Sequence, residues 1–450
     1  MSRISDPVMP ATGGERAERD GSSRVLRRAT LGAAIGSVVE WFDVAVYGYL
    51  AITLGELFFT TSDPTTALLS SFAVFGAAFV VRPLGGIFFG AIGDRIGRQR
   101  TLAAVVILAS VSTLGIGLLP THSTIGLAAP VLLVLLRLLQ GFSAGGELGG
   151  ASAFVAEHAP PRRRGYFVSF VEVGSITGFL LGSLVVLLLT VTLGGDQLSA
   201  WGWRVPFLLA GPLGVIGLYI RSKLEETPEF TALREKGGLS ERPLLESVTG
   251  SWRGILSTAG YALFQNAALY VFLTFIPSYQ TKNLGYSETI ASASSVIAMA
   301  VTCVTIPLFG ALSDRLGRRT VLGASCVLAI VFAFPLFLAM DAGSAALAVA
   351  AHVALGVILA AFLGPTLAAM NELFDTRVRY GGFSIGYNIS VSAFGGTAPF
   401  LVSLLIAQTG IVASPAFYVI ASAVITLAVI CCTRETAVRT TEGDAHAADQ

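Results

Sequence analysis

The chain has 450 residues, 54% of them hydrophobic and only 13% charged, with a formal net charge of +1 and a mean hydropathy of +0.74. A water-soluble domain carries about a quarter charged residues, so the composition excludes a soluble globular protein and leaves a polytopic membrane protein. The near-neutral charge says nothing about partners, and no nucleic-acid partner is expected.

The first ~30 residues are polar and Arg-bearing, without the short apolar core and small-residue cleavage site of a secretory signal. The first apolar stretch is therefore expected to remain as a membrane span. Beyond it, apolar runs long enough to cross a hydrocarbon core of ~30 Å recur between charged or Pro/Gly-rich breaks. They predict an all-α fold of twelve transmembrane helices, starting near Thr30, Thr66, Thr101, Thr124, Tyr166, Trp203, Gly254, Thr289, Thr320, Ser344, Phe383 and Ile411. Nearly all of the 29 Lys and Arg fall in the termini and in alternate loops, such as "GDRIGRQR", "PPRRRGY" and "SDRLGRR", with Lys282 the exception. That bias predicts cytoplasmic termini and a cytoplasmic central loop.

In the first span, "GSVVEWFDVAVYG" places Gly36, Ser37, Glu40, Asp43 and Tyr47 at three- and four-residue steps, a polar stripe on an apolar helix. Glu40 lies ten residues past Thr30, ~15 Å deep. Ionised groups at that depth are retained where they pair, line water or move protons. The stripe is expected to face an aqueous cavity between two halves. Glu40 and Asp43 read as a proton-coupling site or, alternatively, as a structural pair satisfied by arginine from a neighbouring helix. Arg82, ~18 Å from the loop at Asp94, and Arg137 on the fourth helix are the candidate partners. Either could instead hold a substrate carboxylate through its planar fork. Further along, Glu147 sits among small residues in "SAGGELGGAS", and reads equally as a proton relay or a buried carboxyl paired to arginine. Glu172, on a stripe with Ser169 and Ser175, is a further proton-coupling candidate. Arg204, just after Trp201 and Trp203, is expected to anchor at the membrane interface.

Aromatic faces hold quaternary ammonium groups. Trp41, Phe42 and Tyr47 on the first helix, and Tyr261, Phe264, Tyr270 and Phe272 on the seventh, are candidates, with Gln265, Asn266 and Asn388 as polar neighbours. Each could equally be core or lipid-facing; Trp41 and Tyr270 are preferred for a cage. The cysteines Cys303, Cys326, Cys431 and Cys432 show no ligand spacing and read as packing residues. His122, His158, His352 and His446 show none either, and there is neither a phosphate-cradling GxxxxGK[ST] loop nor a nucleophile triad. No enzyme activity, metal or cofactor is expected. Pro277, Pro307 and Pro399 are possible kink sites.

The chain repeats itself. "GAIGDRIGR" from Gly90 matches "GALSDRLGR" from Gly310, a shift of 220 residues, and Glu157, Arg164 and Ser169 match Glu372, Arg379 and Ser384, a shift of 215. Two six-helix units in the same sense imply halves related by an axis along the membrane normal. The boundaries read as a tail over 1–29, bundles over 30–221 and 254–432, a linker over 222–253 and a second tail over 433–450. That last tail, "TRETAVRTTEGDAHAADQ", holds no apolar heptads and is expected to form no coiled coil.

"GDRIGRQR" resembles the signature loop of the major facilitator superfamily. "EWFDVAVYG", "RPLGGIFFG", "LLQGFSAGGELGGASAFVAEH", "WGWRVPF", "EETPEF" and "YNISVSAFGGTAPF" resemble its metabolite:proton symporter family, closest to members that carry proline and glycine betaine. The resemblance covers almost the whole chain. It implies a major facilitator fold in a bacterial inner membrane and proton symport of a small zwitterionic osmolyte by alternating access. An organic acid is the alternative substrate, and an osmolyte sensor without transport a weaker one. The partners it implies are a small-molecule substrate, protons and the bilayer; no oligomeric state is legible. For Asp94, Arg95, Gly97 and Arg98, and for Asp314, Arg315, Gly317 and Arg318, it implies a gate. Each Asp would cap a neighbouring helix end and pair with basic residues to lock the outward-open state, and each Gly suits the chain reversal.

Overall fold

The computed structural model describes residues 13–59, 64–240 and 243–437. Residues 1–12 and 438–450 of the expected tails, with the missing heptads read in the second, lie outside the described residues. Among the described residues no strand occurs, and twelve helices are long and apolar enough to cross a membrane. These are α1 (Arg24–Tyr49), α2 (Ala73–Ile96), α3 (Arg98–Leu118), α4 (Ala128–His158), α5 (Pro161–Gly202), α6 (Arg204–Ser222), α7 (Trp252–Lys282), α8 (Glu288–Leu316), α9 (Arg318–Met340), α10 (Ala345–Asn371), α11 (Arg379–Thr409) and α12 (Pro415–Cys432). Helices are the form that satisfies each backbone group within its own segment in lipid. The first one runs back to Gly13, so most of the expected N-terminal tail is a helical extension of the first span.

Small residues decide which helices meet, because apolar surface gives no driving force between helices in lipid. On α5, Gly174 and Gly178 lie so close to the Ala34 and Val38 carbonyls of α1 that an added Cβ would sit 2.3 Å away. Gly141 and Gly145 of α4 do the same against Ala78 and Arg82 of α2, at 2.1 Å. The first bundle accordingly pairs α1 with α5, α2 with α4 and α3 with α6. The second repeats that scheme as α7 with α11, α8 with α10 and α9 with α12. The bundles join where α2 crosses α11 and α5 crosses α8, with Gly90 against Gly381 and Gly310 against Gly165. We call the end carrying the Arg-rich loops the basic end and the opposite one the far end.

Several local expectations change. Single π turns interrupt α7 at Val271–Phe275 and α11 at Val391–Gly395, just before Pro277 and Pro399, where the missing prolyl N–H loosens the ladder. Pro307 lies inside an unbroken helix. Trp203 is not in an interfacial belt: it is fully buried, edge-on to Phe58 at 5.6 Å, while Trp201 is exposed. Arg204 reaches back instead, donating to the Gly117 and Leu119 carbonyls at 2.9 and 2.6 Å, a cation on the helix end that favours one. Cys326 is buried as a packing residue should be, whereas Cys431 and Cys432 are exposed at the end of α12.

Candidate functional site

The polar stripe of α1 meets arginines from two helices. Glu40 Oε1 accepts from Arg82 Nη2 of α2 at 2.7 Å. Asp43 accepts from Arg137 Nη1 of α4 at 3.2 Å and from Gln140 Nε2 at 2.8 Å. Gln140 in turn reaches Thr113 of α3 at 2.6 Å. Glu147 pairs with Arg221 at the basic end of α6, whose Nη1 also donates to the Leu102 carbonyl at 2.8 Å. Gly36 makes room for that pair, since a Cβ there would strike Arg221 Nη2 and Glu147 Oε1. A cavity of about 50 Å³ joins these groups, lined by Glu40, Asp43, Arg82, Arg137 and Glu147. It lies between α1, α2, α3 and α4, inside the first bundle. The stripe was expected to face a cavity shared by both halves; the cavity that it lines is walled by the first bundle alone, and it is Arg82, the partner of Glu40, that reaches on to the second bundle. Tyr47 lies at the other end, under the Arg137 guanidinium at 4.0 Å and stacked on Phe75 at 5.8 Å. It is thus apart from Trp41.

A second group of polar side chains meets between the bundles. Arg82 Nε donates to Asn388 Oδ1 of α11 at 3.4 Å, and Asn388 Nδ2 donates to the Gly145 carbonyl of α4 at 2.7 Å. Gln265 Nε2 of α7 donates to Glu172 Oε1 of α5 at 2.7 Å, and Tyr387 donates to Asn266 Oδ1 at 3.2 Å. The rings of Trp41 and Tyr270 lie 5.8 Å apart, tilted at 44°, with Phe79 edge-on to Tyr270 at 5.7 Å. The sequence therefore placed Arg82, Asn388, Asn266, Trp41 and Tyr270 in one region, and the fold brings them together. The other aromatic candidates do not join them. Phe264 packs on Phe362 at 4.8 Å, Phe272 on His352 at 4.9 Å, Phe42 joins the far-end core, and Tyr261 lies in the main core.

At the basic end the two signature loops are used in the same way. Asp94 accepts from the backbone amides of Tyr380 and Gly381, the start of α11, at 3.2 and 2.8 Å. Asp314 accepts from those of Gly165 and Tyr166 in the first turns of α5, both at 2.9 Å. Each acid thus sits on a helix N-terminus of the opposite bundle, where the helix dipole favours a negative charge. Arg98 pairs with Asp94 and Glu157 at 3.2 and 3.1 Å, and Arg318 with Asp314 and Glu372 at 2.7 and 3.2 Å. Gly97 and Gly317 turn the chain at φ 112° and 100°, which other residues rarely adopt. Arg95 and Arg315, also expected in the gate, point away and are exposed.

Several groups went unnoticed in the sequence. Glu226 accepts from the Arg98 and Gln99 amides that open α3, and Glu435 accepts from those of Arg318 and Arg319 that open α9, at 2.8 and 3.1 Å. The threonines that follow bind the matching acids, Thr227 to Glu157 at 2.5 Å and Thr436 to Glu372 at 2.7 Å. The signal was present as the pair "ET" in "EETPEF" and "RETAV", after the sixth and twelfth spans. Glu229 binds Arg379 at 2.6 Å and Arg164 at 3.1 Å. Burial alone would push its carboxyl up, but Arg379, Thr376 and Arg164 together outweigh burial and hold it below the ordinary glutamate range. Glu435 behaves likewise, with four backbone amides overcoming its burial. Arg221 was counted only as a loop charge.

Two six-helix bundles in the same sense, polar groups meeting at mid-span and an ion-paired latch at one end define a secondary transporter of the alternating-access type. The Major Facilitator Superfamily profile matches residues 33–397 and again 263–448, and the chain belongs to that family. It is a multi-pass membrane transporter, not an enzyme. It is 40% identical over 432 residues to the proline/betaine transporter of Salmonella typhimurium, covering 94% of this chain and 86% of that one. It is equally similar, with the same coverage, to the glycine betaine/proline/ectoine/pipecolic acid transporter OusA of Dickeya dadantii. Among solved structures, the proton:xylose symporter XylE bound to 6-bromo-6-deoxy-D-glucose superposes with a TM-score of 0.77 at 18% identity, covering 92% of this chain and 97% of that one. That likeness is one of fold.

Proposed function

We propose that the protein carries a small zwitterionic osmolyte, glycine betaine or proline, into a bacterial cell together with protons, with its basic end and both termini in the cytoplasm. The observation that supports this most directly is the mid-span site. It has a guanidinium, Arg82, within charge–charge reach of Tyr270, whose ring is tilted against that of Trp41, a match to a carboxylate and an ammonium on one small molecule. The relatives named above carry such molecules.

Substrate arrives from the far end while the latch holds the basic end closed. Its carboxylate competes with Glu40 for Arg82, and Glu40, released from its cation, takes a proton. Asp43, held by Arg137 and Gln140, exchanges protons with Glu40 through the cavity inside the first bundle, and Glu147 with Arg221 forms the stage nearest the cytoplasm. Loading favours the state in which the Asp94 and Asp314 contacts are broken, because substrate and proton bind the two states unequally. The bundles over 30–221 and 254–432 then rock and open the site inward.

The test is reconstitution into proteoliposomes. Labelled glycine betaine, proline and a panel of organic acids are compared with and without an inward proton gradient. Gradient-stimulated uptake of betaine or proline is expected. Uptake of a carboxylate alone would replace the zwitterion with an organic acid, and gradient-independent uptake would remove the protons.

A further inference from the structure

Of the four acids within the spans, away from the latch, that are shielded from solvent, Glu40, Asp43 and Glu147 are each ion-paired. Glu172 is not: among the described residues no arginine or lysine pairs with it, and its hydrogen bond comes from the amide of Gln265. A buried carboxylate without a counter-ion is unfavourable in hydrocarbon, so this position has a use that the other three do not share.

Its surroundings point to a ligand. Gln265 spends its Nε2 on Glu172 and leaves Oε1 without a partner, although the residue is fully buried. Tyr270 Oη and Glu40 Oε2 are also buried and unpartnered. Glu40 lies within charge–charge reach of both Glu172 and Tyr270, so the open positions converge on one region between α1, α5 and α7. Buried polar atoms without partners are rare in native proteins. Here the open atoms include two acceptors beside a carboxylate, which is what an ammonium group bearing N–H donors would fill.

We propose that Glu172 and Gln265 form the amine-pole subsite of the zwitterion, opposite the Arg82 carboxylate pole; this rests on the zwitterion reading above. Glu172 supplies the counter-charge to any ammonium. Gln265 Oε1 accepts a hydrogen bond, which a secondary ammonium such as that of proline can give and a quaternary ammonium cannot. The methyl groups of a quaternary ammonium lie instead against Trp41 and Tyr270. Gln265 thus sets the preference between the two substrate types, and Glu172 is a binding group and not a proton carrier.

Proteoliposome exchange at equal pH on both sides isolates binding from proton drive. Gln265→Leu is expected to raise the apparent KM for proline about tenfold, the loss of roughly one hydrogen bond, and to leave that for glycine betaine within about twofold. Glu172→Gln is expected to weaken both substrates about tenfold or more. A selectivity ratio unchanged by Gln265→Leu would overturn the proposal. So would Glu172→Gln with normal exchange but no gradient-driven accumulation, which would make Glu172 a proton carrier. Each variant is checked for a monodisperse, normally melting protein; where one fails, Gln265→Met and Glu172→Met replace it with the same expectations. A wild-type protein that exchanges organic acids and neither zwitterion would instead remove the underlying reading.

Discussion

Asp43 is held by two side-chain donors, whereas Glu40 has one oxygen on Arg82 and the other free. Breaking a buried pair by deleting one partner costs about 3–5 kcal/mol. Asp43→Asn avoids most of that, because it keeps one acceptor and Arg137 still holds Gln140 and the Tyr47 ring. It is expected to abolish uptake driven by a pH gradient while exchange persists; driven uptake at the wild-type rate would take Asp43 out of proton coupling. Gly97 shows the opposite economy of space. Its backbone angles suit glycine, and a Cβ would come 2.0 Å from Glu226 Oε2. Gly97→Ala should therefore cost about 1–3 kcal/mol, read as a lower melting midpoint in detergent. At this scale the sequence revealed which residues matter, because a charge stands out in an apolar run. It did not reveal their pairing: Arg82 and Arg137 were both open to either acid, and only helix placement chose.

Among the elements, the two signature loops and the segments after α6 and α12 make one repeated device. An acid from the loop covers the start of a helix in the opposite bundle, and an acid from the trailing segment covers the start of the next helix in its own. A carboxylate at a helix N-terminus contributes about 0.3–1 kcal/mol. Glu435→Gln should thus shift the latch toward opening by roughly two- to fivefold, seen as faster labelling of a thiol at the basic end; Glu226→Gln should do the same. Equal labelling in both variants and wild type would show that these caps do not bias the latch. The Asp and Gly of the loops were legible from the repeat, but the trailing segments were not, since two residues carry too little pattern to register.

For the whole molecule, the contacts between bundles at the basic end decide which side is open. Asn371 donates to Ser152 across that boundary at 2.9 Å. A disulfide between Ser152→Cys and Asn371→Cys is expected to stop transport and a reductant to restore it, measured in a background without the four native cysteines; transport at full rate when cross-linked would mean the bundles do not separate there. Within the latch, the charge of Glu229 should be steady over the pH range of growth. Glu229 is held below the ordinary glutamate range of about 4.3, so its stabilising charge is complete above that range and is lost only as pH falls through the lowered value.

By itself the sequence determined twelve spans, their repeat and the identity of the buried charges. Hydropathy and charge in lipid are one-dimensional properties: each run either reaches across the hydrocarbon or does not. The tertiary structure decided the rest, because pairing depends on how closely two helices approach and in what register. The glycine contacts of α1 with α5 and of α2 with α4 set that register. They put Asp43 inside one bundle with Arg137, Glu40 at the boundary with Arg82, and Glu172 opposite Gln265 with no cation among the described residues to meet it.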